Sequence, residues 1–478
     1  MDFAAAKGGT VRGPPELPLD AMKPNVRLLV PALLASYLSC AAARATAIEW
    51  AGPAGGLWNV ASNWSPPQVP GTGDSASIPA GHSSVSIDTN VSLSGLSVGG
   101  GATLEISAGG LLTLAGDTQL YGSLTNRGTV SWQDGDIYVF NEPTLGWSGQ
   151  LNNAAGALFD IACDRTLANN QGSPQFHNAG TLRKSAGTDG TDLNVFLDST
   201  GTVEVQNGPL NLNAGGNLGG TFQAAAGAAL YLVSGAFNML DTPFFQGPGA
   251  VGSHGNVVLT GALGGVFGTY GGSLDPGSLL TVAAGATLNV ANAITLYGSL
   301  TNAGNLNITS DMYLYGPLTN SGTLTWQSGE LHVSENPEYD WAGEVTNQAN
   351  GTFDVRCDQA MTNDAGAPRF HNAGLLRKTL GTGSTEIQLG FDNTGTLQAQ
   401  AGTVQCSGEV AQHSGTTLSG GTWALTNGAI VDFTLGDTIS VNQAYVTLDG
   451  AACGFDKLTA GLADNRGSLT LSLSLIHI

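Results

Sequence analysis

The chain has 478 residues, but 70 glycines with 11% charged and 41% hydrophobic residues are not the mix of an ordinary α/β enzyme. Gly, Thr, Asn, Ala, Leu and Val dominate while helix formers are scarce, which is strand and turn chemistry, and the regularly spaced Leu, Val, Phe and Trp argue against disorder. With 36 Asp and Glu against 15 Lys and Arg there is no basic patch to neutralise phosphates, so nucleic-acid binding is set aside; the acidity reads most simply as a soluble surface, and as a second reading as affinity for divalent cations.

At the amino end, Lys23 and Arg27 follow Met22 and precede an apolar run of 16 residues, Leu28 to Ala43; Ala45-Thr46-Ala47 then offers a small-X-small cleavage site. This predicts a leader and secretory signal peptide over residues 1–47, with Met22 as an alternative start, and a secreted or cell-surface chain. The run contains Pro31 and is short for a bilayer span of ~20 residues, so no transmembrane helix is expected in the mature chain. Tyr37-Leu38-Ser39-Cys40 only partly matches a lipoprotein box.

Residues 48–93 read as an N-terminal capping module. Trp50, Trp58 and Trp64 are crowded together where a first coil has no neighbour and needs a lid. Sugar stacking on those indoles is the alternative.

From residue 94 to 472 glycine turns precede short alternating strands, as in GGATLEI at Gly100, RGTVSW at Arg127, AGTLRK at Ala179 and TGTVEV at Thr200. Successive glycines lie mostly about 18–28 residues apart, a solenoid period. A long block occurs twice, over 120–213 and 314–407: LYGSLTNRGTVSWQDGD with FHNAGTLRK returns as LYGPLTNSGTLTWQSGE with FHNAGLLRK. Trp132/Trp326, Trp147/Trp341, Cys163/Cys357, His177/His371 and Arg183/Arg377 are each separated by 194 residues. Asn-X-Gly-Thr signatures suggest sharp corners through left-handed backbone, with asparagines stacking as ladders between coils. The expected fold is all-β: a right-handed parallel β-helix (β-solenoid) with an N-terminal cap, ahead of an array of β-sandwiches. Residues 207–296 are the most glycine-rich and irregular stretch and are expected to bulge.

Four cysteines follow the cleavage site. Cys163 and Cys357, about nine coils apart at ~4.8 Å per coil, lie roughly 40 Å from one another and cannot bridge; each reads as a small interior residue. Cys406 and Cys453 meet only if neighbouring coils align them. Residues 473–478, Leu-Ser-Leu-Ile-His-Ile, abandon the pattern and match a peptide encoded by a common sequencing adapter, so the true carboxyl terminus is expected to be missing.

The motifs WQDGDIYV, FHNAGTLRKSAGT and DSTGTVEVQNGPLNL, with their second copy, resemble the long secreted β-strand-repeat proteins of bacteria, in the style of autotransporter passengers and haemagglutinin-like adhesins. VPGTGDSASIPAGHSSVSIDT looks like the strand-forming first modules of such proteins and distantly like a G8 domain. The resemblance implies adhesion and carries no catalytic residues.

The candidate binding residues are His177, Arg183 and Lys184, repeated as His371, Arg377 and Lys378, two equivalent places for anionic sugars. The competing reading is a coil corner where each His stacks on Phe176 or Phe370 while Arg and Lys project and pair with acids. Asp134-Gly-Asp136 is the best carboxylate cluster, but its second copy is Ser328 and Glu330, which favours a turn over catalysis. Calcium nonapeptides, EF-hand loops, nucleophile elbows and zinc motifs are missing, so no cofactor, metal or catalytic residue is expected. The expected role is structural or adhesive, with polysaccharide or extracellular matrix as partner. The alternative is a polysaccharide lyase or hydrolase, which needs two convergent carboxylates and a basic residue in one groove. Ice binding would need a flat Thr-X-Thr face, which the single Thr per corner does not provide.

Overall fold

The computed structural model describes residues 47–82 and 84–472. Residues 1–46, which hold almost all of the expected leader, and the terminal hexapeptide 473–478 lie outside the described residues. The chain is 56% strand and 3% helix and winds into a parallel β-solenoid of about 19 turns.

Turns contribute strands to three faces, and strands on each face pair in parallel with their counterparts one coil on; among the described residues, short antiparallel pairings occur only at Trp64–Ser65, Trp341–Ala342 and His413–Ser414. The first face carries Thr103–Ile106, Ser123–Asn126, Gln150–Asn153, Gln175–Asn178 and Phe196–Ser199. The second carries Leu111–Ala115, Thr129–Asp134, Leu158–Ile161, Thr181–Lys184 and Thr202–Val205. On the third, Thr118–Leu120, Ile137–Asn141 and Thr166–Gly172 succeed one another. Strands alternate outward and inward positions, because successive side chains of a strand point to opposite sides. Inward residues therefore stack directly on one another, as in Leu104–Leu124–Leu151–Phe176–Leu197 and Leu112–Val130–Phe159–Leu182–Val203. A single continuous core runs from Ile48 to Leu458, and no coil could bury its apolar side without its neighbours.

At the amino end, Ala47–Trp50 pairs in parallel with Ser75–Ile78 of the first coil. Trp50, Trp58 and Trp64 are 1%, 0% and 2% exposed and meet edge-on, with ring centroids 5.0 and 4.5 Å apart. The Trp64 indole donates to the Trp58 carbonyl at 2.8 Å. No indole face is left for a sugar.

The corner between the first and second faces is closed from inside by asparagine. Asn126 Nδ2 donates to Asn153 Oδ1 at 2.8 Å, Asn153 to Asn178 at 2.8 Å, and Asn178 to Ser199 Oγ at 3.1 Å. In the second copy the run Asn302–Asn320–Asn347–Asn372–Asn393 repeats this at 2.7 to 2.8 Å. The second amide hydrogen also finds a partner in the coil above: Asn126 donates to Leu158 O at 2.8 Å and Asn153 to Thr181 O at 3.0 Å. All of these asparagines are at most 2% exposed, so the expected ladders form inside the solenoid.

The expected cause of the sharp corner is corrected. Neither the asparagines nor the glycines of the Asn-X-Gly signature take left-handed angles. The glycines are there because the coils approach closely: a Cβ on Gly180 would sit 2.4 Å from the Ala154 carbonyl, and one on Gly395 2.3 Å from that of Gly374. The glycine-rich middle, expected to bulge, keeps its parallel ladder with one register shift between Leu232 and Ser234. Ala250–Leu274 is one unbroken strand, turned around the corners at Gly255, Gly265 and Gly271, whose φ of 153°, 68° and 113° would strain any other residue.

Among the described residues every cysteine is free. Cys406 stacks between Ile387 and Phe433 in adjacent coils, and Cys453 Sγ instead accepts the Gly428 amide at 3.3 Å.

The ladder predicts a local, transmissible defect. Asn153→Ala strips Asn126 of its acceptor and Asn178 of its donor inside the core, and should cost about 1–3 kcal/mol. Hydrogen exchange should accelerate in the coils around 126–181 before it does so near Asn347; uniform protection in both regions would contradict this account.

Candidate functional site

The six residues singled out by the duplication separate into three environments. In the strands Thr181–Lys184 and Leu375–Lys378 the alternation places Leu182 and Leu376 inward, Arg183 and Arg377 outward, and Lys184 and Lys378 inward again. Lys184 stands between Ile161 and Val205 in an apolar column, and Lys378 between Val355 and Ala399. Their exposures are 0% and 1%. The expectation that Arg and Lys project together from the surface is thus corrected: the lysines are enclosed and only the arginines reach solvent.

A buried ammonium persists only when its hydrogen bonds are met. Lys184 Nζ donates to Asp164 Oδ1 at 2.7 Å, Cys163 O at 2.9 Å, Thr191 Oγ1 at 3.0 Å and Ala186 O at 3.1 Å. Lys378 Nζ repeats this with Asp358 at 2.6 Å, Cys357 O at 2.8 Å and Thr385 Oγ1 at 2.9 Å. The void beside Lys378 is about 10 Å³, no larger than the ~10–15 Å³ that one water needs, so protein atoms alone serve as its solvent. Burial would raise the Asp164 carboxyl, but Lys184 and the Asp189 amide outweigh it and hold it low; for Asp358, burial is outweighed by Lys378 and the Gly383 amide. Burial likewise pushes the Cys163 thiol up to about 11 against the pull of Lys184.

His177 and His371 do not stack on Phe176 and Phe370. Each phenylalanine points inward and its histidine outward. His177 Nδ1 lies 3.1 Å from Asp198 Oδ2, and His371 Nδ1 3.2 Å from Asp392 Oδ2. Arg183 bonds Asp160 at 2.9 Å on the next face, across the Asn178 corner from His177. Arg377 shares Asp354 with Arg356, at 3.2 and 2.8 Å; the Asp354 side chain is 1% exposed. Asp134 ends its strand, bonded to Arg165 at 2.7 Å and to the Gly135 amide at 2.9 Å, and the Asp136 carboxylate accepts the Thr166 amide of the next coil at 3.0 Å.

The surface that stands out lies elsewhere, at the corner between the third and first faces. Along the first face the coil from Leu124 to Leu151 is 27 residues and the next, to Phe176, is 25, whereas Leu104 to Leu124 is 20. The extra residues form a loop over Asn141–Gly149 and an extension ending at Gly172 directly above it. Tyr121, Phe140 and Trp147 gather there, with centroids 4.2, 5.1 and 5.6 Å apart. In the second copy the cluster is Tyr297, Tyr315, Trp341 and Tyr339, at 5.1, 4.3 and 5.1 Å. Tyr297 is 38% and Tyr339 61% exposed. Burial, then Tyr297 and Asp364, push the Tyr315 phenol up.

Beside this second cluster a cleft of about 310 Å³ is lined by Glu335, Ala342, Glu344, Pro368 and Arg369. Glu335 accepts the Ala367 amide at 3.3 Å, and Glu344 accepts Thr346 Oγ1 at 3.1 Å while facing His371 Nε2 at 3.7 Å. Sequence reasoning registered the Trp147/Trp341 repeat but did not connect it with Tyr121 or Tyr315. Among the described residues no group of three or more His, Cys, Asp or Glu is placed to hold a metal ion, and no helix is long and apolar enough to cross a membrane. No family model, curated protein or solved structure matches the chain.

Removing one partner of a buried, paired charge costs about 3–5 kcal/mol, so Lys184→Ala should strongly destabilise the coils around it; Lys184→Arg, too large for the column, should not restore them. Denaturation followed by hydrogen exchange reads this directly. Acid sensitivity has a definite sign. Asp164, Asp358 and Asp354 are all held low, the last because Thr379, Arg356 and Arg377 outweigh burial. Their stabilisation is present above the ordinary carboxylate range and is lost as pH falls through the lower folded values. Tm should hold between pH 7 and about 5 and fall below ~4, less steeply in Asp354→Asn than in the native chain.

Proposed function

We propose that the chain is a secreted structural or adhesive β-solenoid that holds surface glycans or matrix through repeated weak contacts. The observation that carries this reading is the duplicated aromatic corner. Loops are added to an otherwise regular coil at one corner in each copy, and each sets a half-buried Trp against neighbouring Tyr rings, with Tyr339 of the second loop exposed. Aromatic side chains with an apolar face and a polar tip suit pyranose rings, whose C–H faces are apolar and whose edges carry hydroxyls. Two such corners on one scaffold convert weak individual contacts into avidity. Against this, Lys184 and Lys378 contribute from inside, by holding their coils, and not by touching ligand.

One observation favours a second reading. Glu335, Glu344 and Arg369 line a single cleft, the residue types that a polysaccharide lyase or hydrolase requires. Retention of the full chain on immobilised neutral, amino and acidic polysaccharides, with soluble products assayed in parallel, separates the two. Binding without product is expected. Trp147→Ala and Trp341→Ala should each weaken it on the order of tenfold, in the range of a truncated aromatic anchor, and the double variant should abolish retention. Release of reducing or unsaturated ends that disappears in Glu344→Gln would replace the adhesive reading with the enzymatic one.

A further inference from the structure

We propose that the two aromatic corners are chemically distinct: the second takes a sugar bearing a protonated amine, while the first takes uncharged sugar. This rests on the glycan reading above. Four positions around the corner are amides in the first copy and charged in the second, each pair 194 residues apart: Asn141/Glu335, Gln150/Glu344, Asn170/Asp364 and Gln175/Arg369. The backbone that carries them is closely similar in both, with the same one-turn 3-10 segment and the same register shift into the extension above, and the second copy adds a short antiparallel pairing of Glu335 and Asn336 with Ala342 and Trp341. The change is therefore one of charge on a near-constant frame, with Phe140 replaced by Ser334 and Leu145 by Tyr339 in the aromatic set.

The balance at the second corner is negative. Glu335, Glu344 and Asp364 are set against Arg369, with His332 on Asp364 at 3.1 Å and His371 3.7 Å from Glu344, and Glu338 and Asp340 add negative charge from the loop. Arg369 forms no ion pair within 4.0 Å among the described residues, although it shares the cleft with Glu335 and Glu344; it is free to donate to ligand hydroxyls. In the first copy the lone loop carboxylate, Glu142, is already engaged, accepting Thr144 N at 3.2 Å and Thr144 Oγ1 at 2.6 Å to cap the 3-10 turn. In the second copy Asn336 does that capping, which leaves the acidic side chains of the loop for a ligand. A cation held by carboxylates beside aromatic faces gains from both, since ring faces attract positive charge.

The test uses the full chain and three probes: a β-linked glucosamine oligomer at a pH where its amines are protonated, the same oligomer fully N-acetylated, and a uronate oligomer. Trp147→Ala leaves the second corner intact and Trp341→Ala the first. The expected result is that the native chain and Trp147→Ala bind the glucosamine oligomer at least tenfold tighter than the acetylated one and exclude the uronate. Trp341→Ala should bind both neutral and amino oligomers alike. Glu335→Gln with Glu344→Gln should erase the preference while acetylated-oligomer binding survives. A preference that persists in Trp341→Ala would be the attraction of any cation to a chain of net charge −21 and would overturn the inference, as would equal affinities in Trp147→Ala. If the acetylated oligomer binds and no preference exists, this inference fails alone. If no oligomer binds any form, the glycan reading fails and takes the inference with it.

Discussion

Where each coil passes from its first to its second face, the backbone crosses the coil below with space for a hydrogen but not for a methyl group. Gly180, Gly201, Gly374 and Gly395 all stand where a Cβ would press on a carbonyl of the preceding coil, and the residue two before each, an asparagine except for Ser199 before Gly201, fills the interior of the same corner. The two features depend on each other. Close approach brings consecutive carboxamides within hydrogen-bond reach, and the ladder fixes the register at which that approach occurs. A slip of one residue would turn every inward side chain outward and break the ladder at once, so one corner specifies the alignment of all three faces.

The same strictness explains how a lysine can occupy the core. A column of stacked side chains has no water to offer, and an unpaired ammonium there would be prohibitively costly. The solution is local and complete: one carboxylate, one hydroxyl and backbone carbonyls surround each Nζ, and the carboxylate is itself tied to an amide of the next coil. Charge is balanced within the core, and the polar ends of two coils are joined where no ladder reaches. Apolar replacement of such networks is often no worse for stability, so their recurrence at the same two positions marks a means of pinning a turn rather than of adding to the core.

Much of this was legible from residues alone. Glycine spacing set the coil length, the crowded tryptophans implied the lid, and the Asn signatures implied ladders. The lysines were misread for an instructive reason. In Thr-Leu-Arg-Lys the alternation that puts Leu182 inward also puts Lys184 inward, but the general expectation that lysine seeks water was given more weight than the period. Corner glycines were misassigned because conformational freedom and lack of volume select the same residue, and only the neighbouring coil distinguishes them. The aromatic corner was hidden by distance along the chain: Tyr121, Phe140 and Trp147 come from separate segments, and the third-face corner that unites them exists only once the coils are stacked.

A solenoid of this kind separates the residues that hold it together from those free to change. Core columns, corner glycines and ladder asparagines are constrained by the coil on either side, and the two copies agree at most of these positions. The loops Asn141–Gly149 and Asn336–Gly343 return to the same ladder after leaving it, closed by the Gly149 amide on the Phe140 carbonyl at 2.9 Å and the Gly343 amide on Ser334 at 3.0 Å. Apart from the half-buried Trp147 and Trp341, most residues between those closures are exposed and carry little of the stability. Asn141/Glu335 stands at the start of the loop, and Gln150/Glu344, Asn170/Asp364 and Gln175/Arg369 stand beside it at strand positions that face away from the core, so that amides in one copy are carboxylates and a guanidinium in the other, a difference that packing neither requires nor opposes. Duplication of a rigid coil stack thus supplies two copies of one frame, and the chemistry presented by each is set by side chains that the frame does not need.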